Sequence, residues 1–130
     1  MLLGPFDPGD RTAMTSYDLE QRPTHDPRLV HVDVTGELDL TNAREFEERL
    51  EAITAANGSR LVLDLNRVVF IDSAALHVLF RTARRLGKDH FSLRLEPTAA
   101  IARTLEIVGI SEVATISESA NDLPAPGEPD

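Results

Sequence analysis

The sequence predicts an α/β domain: one mixed, mainly parallel sheet with its helices concentrated on one face. Three observations carry this. Strand-like and helix-like apolar patterns alternate along residues 28–117, and such alternation calls for right-handed crossovers between parallel neighbours. Each helical pattern has a single narrow apolar stripe. Two of the strands alternate apolar with polar residues, which marks a sheet covered on one side and partly open on the other.

The elements follow in order. A first short strand fits residues 17–21. "LVHVDVT" sets Val30, Val32 and Val34 on one face and His31, Asp33 and Thr35 on the other, a half-buried strand ended by Gly36 and the polar "ELD". From Ala43, apolar residues recur at Phe46, Leu50 and Ile53, the spacing of an amphipathic helix. Asn42 and Glu45 form a capping-box pair before it, and Asn57-Gly58 supplies its stop. "LVLDL" at 61–65 reads as a buried strand, and the apolar run "VVFI" at 68–71 leads into Asp72-Ser73 and a second helix. Leu76, Leu79, Ala83 and Leu86 form that helix's core stripe; Ser73, His77, Arg81, Arg84 and Lys88 lie on the opposite, solvent face. "FSLRL" at 91–95 is a further alternating strand. Thr98 is placed to cap a third helix with Ile101, Leu105 and Val108 on one face, Gly109 ends it, and "VATI" at 113–116 is the last strand.

The ends differ from the middle. Of the eight prolines, seven lie outside residues 28–117. Residues 118–130, with four acidic groups and few apolar ones, cannot offset their ordering entropy and read as a disordered acidic tail. Residues 1–13 read as a disordered extension, with Met14 a plausible alternative start, so the domain is expected to span 14–117. The net charge of −9 resides mostly in these ends, since 28–117 hold 13 acidic against 11 basic groups. A near-neutral core with acidic ends lacks the basic face that nucleic acid or an anionic membrane requires. There are no cysteines, so no disulfide framework or thiolate metal site exists, in keeping with a cytoplasmic protein. The opening residues do not form a signal peptide, and no apolar run approaches a membrane span.

The seam at Asp72-Ser73 carries the functional question. Either residue can cap the second helix, because both side chains accept hydrogen bonds from first-turn amides. A hydrolytic serine is poorly supported: His77 is four residues on, but Asp72 is badly placed to orient it, and no G-x-S-x-G elbow is present. The four histidines show no paired ligand spacing, so neither a metal nor any other cofactor is expected. No glycine loop cradles a phosphate. The acidic pair and lysine of a phosphoaspartate receiver domain are also missing.

The stretches "VTGELDLTNAREFEERL", "LVLDLNRVVFIDSAALHVL" and "LEIVGI", in this order and spacing over about residues 28–117, resemble the anti-sigma factor antagonists built on the STAS domain. The resemblance implies a single STAS-like domain that is not an enzyme. In that family the serine directly after the motif's Asp, here Ser73, is phosphorylated by an anti-sigma factor with serine-kinase activity. The unmodified antagonist binds that partner and frees the sigma factor; the phosphorylated form does not. The resemblance places Glu37, Asp39, Thr41, Asp72, Ser73, Ala74, His77 and Arg81 on the partner surface of a monomer or weak dimer. Where relatives often read Ser-Ser-Gly-Leu-Gly, this chain reads Ser73-Ala74-Ala75-Leu76-His77. Ala75 favours helix by about 0.5–1 kcal/mol over glycine, and His77 adds a titratable ring to the contact face. The second reading, from a different class, is a STAS-type sensor or scaffold that is not phosphorylated and binds a small ligand or a larger assembly.

Overall fold

Alternating burial along the strands builds the molecule from its sheet outward. The structure, a computed structural model, describes residues 16–57 and 60–117. The readings made above for residues 1–13 and 118–130, and for Gly58 as a helix stop, lie outside the described residues. Strands β1 (Tyr17–Arg22), β2 (Leu29–Leu38), β3 (Arg60–Ile71), β4 (Phe91–Arg94) and β5 (Thr115–Ser117) form one sheet in the order β1-β2-β3-β4-β5. β1 is antiparallel to β2, and every other neighbouring pair is parallel. Helices α1 (Ala43–Asn57), α2 (Ser73–Leu86) and α3 (Ala102–Ile107) make the crossovers.

One face of the sheet supplies Val30, Val32, Val34, Leu61, Leu63, Phe91 and Leu93 to the core, where they join Phe46, Leu50, Val78, Leu79 and Leu105 from the helices. The other face carries His31, Asp33, Asp64, Ser92 and Arg94, all only partly buried. The α/β class, the mixed sheet and its half-open character match the sequence reading. Among the described residues no helix is long and apolar enough to cross a membrane.

Several elements differ in detail. The strand read at 61–65 continues to Ile71 through two register shifts against β2. Between Asp33/Asp64 and Thr35/Arg67, β2 advances two residues and β3 three; between Gly36/Val68 and Glu37/Phe70, β2 advances one and β3 two. Each is a β-bulge that breaks strict alternation and turns two successive residues to one side. Leu65 and Val68 are therefore core while Asn66 and Arg67 face outward, and the second bulge leaves Val69 (61%) and Phe70 (49%) exposed. The buried stripe of α2 is Ala75, Val78, Leu79, Thr82 and Ala83, with Leu76 and Leu86 packed only part-way.

Thr98 does not cap α3, which begins only at Ala102 after a turn and has no side-chain cap. Ile101 and Leu105 are buried as read, whereas Val108 is exposed, because so short a helix covers the core with little more than one turn. Gly109, at φ 76°, then reverses the chain. β5 starts two residues later than the 113–116 reading, after a 3-10 turn at Ile110–Glu112.

On the open face, burial holds the His31 imidazole below its ordinary range, against the pull of Asp33 in the other direction. A histidine depressed in the fold favours the native state above its unfolded pKa. That contribution is lost as pH falls below it.

Candidate functional site

The carboxyl ends of β2 and β3 lie side by side, with Leu38 paired to Ile71, so the loop into α1 meets the start of α2. Open α/β sheets present their binding groups at this end. Asp72 joins the two. It sits at the N-cap of α2 in extended conformation (φ −112°, ψ −176°), and its Oδ1 accepts the Ala75 amide at 3.1 Å. Its Oδ2 accepts the Leu40 amide at 3.0 Å, and its own amide donates to the Leu38 carbonyl at 3.1 Å. Both carboxylate oxygens thus accept from backbone amides, and among the described residues Asp72 makes no hydrogen bond to His77 of the kind that orients a catalytic base.

The loop is fixed from within as well. Asp39 Oδ1 accepts from the Thr41 amide at 2.9 Å and from its hydroxyl at 2.6 Å. Asn42, fully buried, accepts the Asp39 amide at 3.0 Å through Oδ1 and donates through Nδ2 to the Glu37 carbonyl at 2.9 Å. A short polar loop with its amides satisfied this way presents Glu37 and Leu40 to solvent without an ordering cost at binding.

Ser73 is the first residue of α2, exposed, and among the described residues its hydroxyl makes no hydrogen bond. The ambiguity over the cap is thereby resolved in favour of Asp72. The loss of both Asp72 acceptors in Asp72→Ala is expected to cost about 1–2 kcal/mol of stability, the range for a helix cap, and to free the 37–42 loop. Urea denaturation and hydrogen exchange at the Leu40 amide check the two effects separately.

The residues read as a partner surface fall into two groups. Glu37, Asp39, Thr41, Asp72, Ser73, Ala74 and His77 gather around the junction. His77 and Ala74 line a shallow groove of about 430 Å³ between α1 and α2, with Leu40 and Arg44 on its other side. Arg81 lies one turn beyond His77 on the same groove and is engaged: its Nε and Nη2 donate to the two Glu47 oxygens at 2.8 and 3.0 Å, tying α2 to α1. These hydrogen bonds hold the Glu47 carboxyl below its usual range. What that lowering contributes to stability is present above the carboxyl's unfolded pKa and is lost as pH falls through the lower folded value.

Three apolar residues at this end escaped the sequence reading. Leu40, at the loop tip, is 76% exposed, and Val69 and Phe70 precede Ile71. A lone leucine between Asp39 and Thr41 in a turn was the available signal for Leu40. Nothing local announces a bulge in "VVFI".

Fold and site together place an exposed serine, bonded to none of the described residues through its hydroxyl, where β2, β3 and α2 meet. The STAS domain model matches residues 18–123, and the chain belongs to the STAS domain family. Its relatives are named anti-sigma factor antagonists. It is 30% identical to the anti-sigma-B factor antagonist of Bacillus subtilis over 68% of this chain and 81% of that one. It is 25% identical to the anti-sigma-F factor antagonist RsfB of Mycobacterium tuberculosis over 70% of this chain and 75% of that one. The crystal structure of an anti-sigma factor antagonist from Mycobacterium paratuberculosis superposes with a TM-score of 0.71 at 28% identity, covering 82% of this chain and 90% of that one.

Proposed function

We propose that this protein is an anti-sigma factor antagonist. Its unphosphorylated form binds an anti-sigma factor with serine-kinase activity and so releases the sigma factor, and phosphorylation of Ser73 ends the binding. The observation that carries the proposal is the state of Ser73: exposed at the first position of α2, its hydroxyl bonded to none of the described residues, while Asp72 does the capping. A serine needed for the helix would be bonded to it. This one is available to a kinase, at a helix end whose amides and dipole favour a phosphate. The names of the relatives support the kind of partner, and the exposed Leu40, Val69 and Phe70 supply apolar area for it.

The test is incubation with ATP and a candidate anti-sigma kinase, followed by intact mass. The expected result is a gain of one phosphoryl group that Ser73→Ala abolishes. Stable binding to that kinase with no phosphoryl gain would favour the scaffold reading. His77 is exposed, lines the groove and is off the core stripe of α2, which in this reading sets it against the partner. His77→Glu is therefore expected to weaken partner binding several-fold in calorimetry with little change in melting temperature.

A further inference from the structure

We propose that the open face of the sheet holds a second site, remote from Ser73 in role, that binds a small molecule through a carboxylate or phosphate group. A pocket of about 320 Å³ lies there, lined by side chains from four strands. Asp33, Asp64 and Arg94 stand in one cross-sheet row, paired directly across β2, β3 and β4. Two carboxylates opposite each other repel, and each has its own guanidinium: Arg22 on Asp33, and Arg94 on Asp64 at 3.2 Å.

What remains in the pocket after these pairings is mainly a set of donors; the one leftover acceptor among the described residues, Asp33 Oδ1, has no hydrogen-bond partner but lies 3.4 Å from His31 Nε2. Arg67 has no acidic partner among the described residues. The Nε of Arg94 is buried and without a hydrogen-bond acceptor. Asn66 turns its Oδ1 to the Glu96 amide at 2.6 Å, which leaves its amide nitrogen unspent. Asn66 and Arg67 reach this face in succession only because of the first bulge in β3, and bulges that re-aim side chains recur next to binding sites. Two guanidinium groups and an amide around a small pocket match the fork geometry of an oxyanion.

His31, Asp33 and Asp64 also lie here with ligand atoms within 4.8 Å of one another. A cation there would face three arginines whose charge outweighs that of the two carboxylates. The balance favours an anion.

Amide chemical shifts of the full chain, titrated separately with inorganic phosphate and with acetate at constant ionic strength, test this. Saturable shifts at residues 66, 67 and 94 are expected with at least one of them and not with chloride. The tighter binder distinguishes a phosphorylated from a carboxylic ligand. Asn66→Asp keeps the acceptor for the Glu96 amide while removing the donor, and Arg67→Gln removes the free cation from an exposed position. Each is expected to weaken binding at least tenfold with the rest of the spectrum unchanged. No saturable shift with either anion, or undiminished binding in both variants, would overturn the proposal.

Discussion

Phosphorylated Ser73 is expected to bind the anti-sigma partner at least thirtyfold more weakly than the unmodified protein, with a melting temperature almost unchanged. The phosphate adds about −1.5 to −2 charge at the start of α2. In the free domain that charge meets solvent, first-turn amides and the positive end of the helix dipole, so the fold tolerates it. In the proposed complex the same group would be pressed against the partner beside Asp72, whose carboxylate is already committed to Leu40 and Ala75. An unpaired dianion in a closed contact costs about 2–5 kcal/mol, and the cost falls on the complex alone. Ser73→Ala is expected to bind as the parent does, and Ser73→Glu to bind more weakly, since it supplies the charge without all the phosphate oxygens. Calorimetric titration and thermal melts on the same samples decide the matter. A phosphorylated form that melts much earlier, or that binds as tightly as the parent, would refute the mechanism.

Gly36→Ala is expected to destabilise the domain by about 2–4 kcal/mol, combining backbone strain with overpacking. Gly36 holds φ +97°, a conformation that L side chains rarely adopt, where β2 bends into the site loop. A Cβ there would overlap the Ser16 carbonyl oxygen and approach the Tyr17 Cα to 2.9 Å. Neither is a flexible side chain that could move aside. β1 would have to part from β2, taking with it the Tyr17 ring that packs edge-on against Phe46 at 6.1 Å. Equilibrium urea unfolding measures the loss, and a value near zero would mean that β1 is not held where it lies.

The parts of this fold that were legible in the sequence are those where one residue's neighbours along the chain decide its place. Val30, Val32 and Val34 announce a half-buried strand by alternation, and Phe46 and Leu50 announce α1 by helical spacing. Asp72-Ser73 stands out because a turn residue interrupts an apolar run. The bulges of β3 were hidden, because they arise from how β2 and β3 match register: β3 itself has no glycine or proline, and Gly36 beside the second shift lies on β2. With them went the exposure of Val69 and Phe70. The open-face pocket was hidden for the same reason: only strand pairing sets Asp33, Asp64 and Arg94 in one row, with Arg22 reaching Asp33 from the neighbouring position opposite His31. α3 misled because its start is set by the packing of Ile101 and Leu105 and not by a capping side chain.

The sheet order β1-β2-β3-β4-β5 bears on how the molecule is made. Every strand pairs with its predecessor in the chain, so during synthesis each new strand adds to an edge that already exists and none has to be inserted between two paired ones. Loop closure is paid in short instalments, the condition under which α/β domains fold quickly for their size. β2, β3 and the Asp72 link between them lie ahead of α2, β4, α3 and β5 in this sequence of events. On a ribosome, the residues that present Ser73 emerge before β4 and β5, the strands that complete the sheet.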